Sequence, residues 1–202
     1  MSATLAPTTI DRTDVRNILT GGTKIGLVTA FAVVVYLWVS KHVPAGGARV
    51  GVEALLVLAA GTAVTFLPGR WCVARSVEGI AGAAGMGLWG GIVFTVVDIV
   101  LLRPFKAYPW TWDAVGGGST WWYLPIWWMF GTFLAWMGGT LVARAPEGAS
   151  LARTAAPALV GAVLGAVVAR LAGLDATLPV TAGAGFAVTL PVLVVVALAR
   201  RA

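Results

Sequence analysis

The chain has 202 residues, with 14 Lys+Arg, 8 Asp+Glu and a formal net charge of +6. Charged residues make up 11% and the AVILMFWYC set 59%, with 26 Gly, 10 Trp and one Cys. So few polar groups could not cover that apolar content in water, which excludes a soluble domain; the hydrophobicity excludes disorder, and the lone Cys72 a disulfide scaffold.

At roughly 20 apolar residues per crossing, the chain has room for about six membrane helices. A bilayer interior offers no water, so each crossing segment must satisfy its own backbone. The apolar runs are long and unbroken, whereas a transmembrane barrel needs short segments of alternating polarity. The expected fold is an all-α membrane protein, a polytopic bundle of about six transmembrane helices.

Residues 1–22 form a polar N-terminal segment containing Asp11, Arg12, Asp14 and Arg16. It lacks the layout of a signal peptide. Thr8 followed by Asp11 resembles a helix start. Ile10, Val15, Ile18 and Leu19 follow a helical stripe in part, so the segment reads either as a surface helix or as a frayed tail.

Residues 23–202 read as a single transmembrane domain. The first span is expected at 24–43, ending at Pro44-Ala45-Gly46-Gly47, and the second at 50–67, ending at Pro68-Gly69. The third covers 79–102. The fourth covers 121–143, with Ser119 or Thr120 as its cap and Pro125 in its first turn. The fifth, 155–171, is the shortest, and the sixth covers 178–199. Pro191 should bend the sixth by removing a backbone hydrogen bond.

Six crossings put both termini on one side. Nine Lys/Arg fall on that side and five on the other. The positive-inside rule then places the termini in the cytoplasm. The Ala-, Gly-, Val- and Arg-rich, Lys-poor composition is associated with GC-rich bacterial genomes, which suggests a bacterial inner membrane.

The loop at 103–120 would face outward. Six of the ten tryptophans, Trp110, Trp112, Trp121, Trp122, Trp127 and Trp128, lie in or just after it. They read as an interfacial aromatic belt, or as a docking surface for a partner subunit, a lipid, a quinone-like ring or a pigment. Gly116 to Gly118 would let the loop bend back towards the membrane.

Small residues recur at intervals of four: Gly79, Ala83, Gly87 and Gly91 in the third span, Gly131, Ala135 and Gly139 in the fourth, and Gly161 and Gly165 in the fifth. Residues four apart share a helix face, and smooth strips let helices approach closely. Packing within the chain is favoured over contact with another subunit.

Glu53 and Asp98 are the carboxylates within the apolar spans, both near the outward face. They are the candidate ion or proton site. The competing reading is that they are span-end residues, with Asp98 paired to Arg103 or Lys106. His42, the only histidine, could be an axial metal ligand, but its place at a span end beside Lys41 favours a surface residue. No zinc spacing, catalytic triad or phosphate-loop ending is present. Scattered basic residues suit topology and anionic lipid contact, with no nucleic-acid stripe.

These features point to a non-catalytic accessory or scaffold subunit of a larger membrane complex, respiratory or photosynthetic among the options. Its partners would be the bilayer and other membrane subunits or itself. No cofactor is expected beyond a bound lipid, quinone or pigment. The alternative is a small oligomeric transporter or channel using Glu53 and Asp98.

Overall fold

The structure is a computed structural model and describes residues 12–104 and 123–200. Six helices long and apolar enough to cross a membrane make up nearly all of it. They are α1 (Val15–His42), α2 (Gly47–Trp71), α3 (Val77–Val97), α4 (Tyr123–Arg144), α5 (Leu151–Leu171) and α6 (Leu178–Ala199). A five-residue π-turn, Asp98–Leu102, extends α3. The protein is an all-α bundle of six membrane-spanning helices.

Three boundaries differ from the sequence expectation. Residues 15–22, grouped above with the polar segment, are the opening turns of α1. Asp14 caps that helix by accepting from Asn17 N, and the Asn17 side chain donates to Arg12 O and Trp71 O. Helix α2 runs through Pro68 to Trp71, instead of stopping before it. A proline forfeits one backbone donor, and only three helical residues follow it. Helix α5 begins at Leu151, where Ser150 accepts from Arg153 N; Pro157 lies within it.

The ends of α2 and α5 share one motif with different residues. After α5, Gly173 at φ 70° donates to Arg170 O, and Leu174 to Ala169 O. After α2, Val73 at φ 51° donates to Arg70 O, and Ala74 to Gly69 O. Both are Schellman caps, but the α2 cap forces a β-branched residue into left-handed backbone. That conformation costs an L-residue about 1–2 kcal/mol, and glycine's extra unfolded freedom returns about 0.5–1 kcal/mol. Val73→Gly should therefore raise stability by up to about 1 kcal/mol. Unfolding by SDS titration in mild detergent checks this, with Gly173→Val expected to move the opposite way.

Helix α2 is the axle of the bundle and touches all five other helices. On one side α3 lies between α1 and α4; on the other α5 pairs with α6. Phe66 of α2 centres an apolar core with Leu134, Met137, Ala158, Phe186 and Leu190.

The small-residue strips explain the close pairs. A Cβ placed on Gly87 would fall 2.5 Å from Ala135 Cβ and from Gly131 O. Gly139 faces Ala83, and Gly91 faces Trp128. The α3 and α4 strips are thus each other's partners. Gly79 donates its N–H to the cap Ser76. Gly161 meets Thr189 and Gly165 meets Gly185, which locks α5 to α6. In α1, Gly22 and Gly26 approach the carbonyls of Met86 and Gly90. With little water to exclude within a bilayer, such tight backbone contact supplies dispersion energy that bulkier residues would block.

Candidate functional site

The ends of α1 and α3 and the start of α2 lie at the end of the bundle opposite the termini. In the second turn of α2, Glu53 is 6% exposed. It stands about 9 Å along the helix from Gly47, at about 1.5 Å per residue. Its Oε1 accepts from Ser40 Oγ at 2.6 Å and pairs with Arg49 Nε at 3.4 Å. Arg49 also donates from Nη1 to Ser40 O at 3.2 Å. The carboxylate, guanidinium and hydroxyl thus clamp the end of α1 to the start of α2. Tyr36, one turn before Ser40, adjoins the same group.

Asp98 is 7% exposed and opens the π-turn. Its Oδ2 accepts from Arg103 Nε at 3.0 Å, while Oδ1 is buried with no partner among the described residues. The turn closes when Arg103 N donates to Asp98 O at 3.0 Å. The wider coil lets the side chain of residue 103 return to that of residue 98. Glu53 and Asp98 therefore have separate cations, Arg49 and Arg103. Of the two sequence options, Arg103 pairs with Asp98, and Lys106 lies outside the described residues.

His42 is exposed at the end of α1. Its ring stacks on Trp38 at 5.0 Å, and Nδ1 lies 2.9 Å from Trp38 O. A carbonyl oxygen can only accept, so Nδ1 is the donor in this contact. Among the described residues, no three His, Cys, Asp or Glu side chains converge as a metal site.

Two members of the tryptophan group are described. Trp128 is half-buried, and its indole donates to Thr95 Oγ1 at 3.1 Å. Trp127 is exposed and meets Phe130 edge-on at 6.4 Å. Trp110, Trp112, Trp121 and Trp122 lie outside the described residues, as do Gly116 to Gly118 and the proposed caps Ser119 and Thr120.

Sequence reasoning missed Ser40, Arg49 and Thr95. The Arg49–Glu53 pair carried a usable signal, since opposite charges four apart share a helix face. Ser40 and Thr95 carried none, because only tertiary packing brings them to their partners. Among the described residues, the rim holds two acid–base pairs, each formed within this chain. Comparison with known protein families, curated proteins and solved structures found no match to this chain.

Proposed function

We propose that this chain is a non-catalytic accessory or scaffold subunit of a larger complex in a bacterial inner membrane, with both termini cytoplasmic. One observation carries the reading. Among the described residues, each buried carboxylate of the rim lies against a cation of the same chain, and the Glu53 group ties α1 to α2 through Ser40. On α4, Trp127 and Phe130 form an exposed aromatic pair, and Met129 and Trp136 are exposed on the other side of the helix. Aromatic and methionine side chains are enriched in contacts between subunits. The charge bias of nine against five supports the orientation.

The test is extraction with a lipid-retaining polymer, followed by sizing and identification of stoichiometric partners. The expected result is a particle larger than the monomer, reduced to the monomer by Trp127→Ala with Phe130→Ala while the fold persists. A wild-type particle that is monomeric and alone overturns the proposal.

A transporter or channel is the second reading. It is favoured by the π-turn at Asp98 and by Oδ1, which has no partner among the described residues, because π-turns recur at functional sites. Here Asp98→Asn with Glu53→Gln should abolish flux in proteoliposomes. Flux equal to wild type removes this reading.

A further inference from the structure

At the end of the bundle that carries the termini, the start of α1 and the end of α2 border a cleft of about 220 Å³. Its cations are Arg12, Lys24 and Arg70, joined by Asn17, Thr20 and Trp71. No carboxylate lines it among the described residues. The nearby Asp14 is engaged as the cap of α1. Lys24 Nζ stands 5.9 Å above the Trp71 ring, and Arg70 donates to Ala149 O. Three positive charges thus share one lining, and the contacts of Lys24 and Arg70 there among the described residues are to a ring and a carbonyl. An anion entering there would gain from all three.

The backbone at this cleft is strained. Val73, the left-handed valine, completes the lining. Strain of this kind concentrates at binding sites, where surrounding structure maintains a shape that local preference opposes.

Depth and surroundings select the anion. Helix α1 has 28 residues, about 42 Å at about 1.5 Å per residue, against a hydrocarbon core of about 30 Å. With His42 at the far interface, the core ends near Thr23, which puts Lys24 at the headgroup boundary and Arg12 beyond it. Leu27, Val28, Phe31 and Val34 are all exposed, and they continue the Lys24 face of α1 along the helix. The charged cleft therefore opens onto an apolar track running into the membrane.

We propose that this cleft binds the phosphate headgroup of an anionic phospholipid from the leaflet on the side of the termini. Arg12, Lys24 and Arg70 neutralise the phosphate, and an acyl chain lies along Leu27, Val28 and Phe31. A free phosphate would use the cations but not the track.

The test is native mass spectrometry of the full chain released from detergent containing phosphatidylglycerol or phosphatidylcholine. Wild type should retain phosphatidylglycerol in preference. Arg12→Gln with Lys24→Gln should weaken that retention by about tenfold or more, given about 1 kcal/mol per basic residue near a membrane surface. Arg153→Gln with Arg200→Gln removes the same charge elsewhere on that side and should leave retention unchanged. Circular dichroism establishes that each variant is folded. Glycerophosphate without acyl chains should not displace the lipid at equal concentration. Equal retention by folded Arg12/Lys24 and control variants overturns the site, and displacement by glycerophosphate or inorganic phosphate overturns the lipid assignment.

Discussion

Gly138→Ala should be among the most damaging single-methyl additions in this protein, and Gly138→Leu should prevent recovery of folded material. The added Cβ would collide with Thr65 O, the backbone of the central helix α2. A backbone carbonyl cannot rotate aside, so α4 would have to move away from α2. That movement would also open the contact between Gly69 and Gly139, where a Cβ on Gly69 would fall 2.8 Å from Gly139 Cα. Overpacking a close contact costs about 1–3 kcal/mol, and the alanine variant should fall at the upper end. Gly61→Ala is the control. Its added methyl would rest 3.7 Å from the Phe186 ring, an ordinary contact, so the better helix propensity of alanine should leave stability equal or higher. Thr65→Val tests the same crossing from the other side. Thr65 Oγ1 is buried without a partner among the described residues, so its removal should be neutral or stabilising. SDS unfolding of the three variants in one detergent decides the matter. A wild-type midpoint for Gly138→Ala would refute the close crossing of α2 and α4.

Much of the fold was legible because a bilayer allows few solutions. Helices ending at turn chemistry were located closely, as at Leu178–Ala199 and at the Pro44-Ala45-Gly46 stretch after His42. Pro68 misled because hydropathy and proline mark where a helix can stop, whereas capping decides where it does. Spacing of four revealed the smooth faces of α3, α4 and α5, but not their partners. Gly138 escaped because it lies one residue from the strip of Gly131, Ala135 and Gly139, and its importance comes from Thr65 on another helix. The lone acids were visible at Glu53 and Asp98, but Ser40 was not, since a serine at a helix end has no sequence mark of its task. The basic cleft joins residues 12, 24 and 70, a grouping that exists only after α1 has settled against the end of α2.

Glu53→Ala should be the most costly change at the opposite rim. It removes the acceptor of the 2.6 Å bond from Ser40 and the counter-ion of Arg49 together. Losing one member of a buried pair costs about 3–5 kcal/mol because the remaining charge stays desolvated. Here the Arg49 side chain is 31% exposed and its stem can swing the guanidinium towards the headgroups. The expected loss is therefore smaller, about 1–3 kcal/mol. Glu53→Gln keeps an acceptor for Ser40 and should lose less. The decisive variant is Arg49→Leu with Glu53→Leu, which removes both charges in favour of apolar volume. If the clamp serves only to match the two groups to each other, the double variant should recover most of the stability lost in Glu53→Ala, as replaced buried pairs do elsewhere. A double variant as unstable as the single would mean that Glu53 carries a further interaction, and the α1–α2 junction would then be the place to seek a proton or ion.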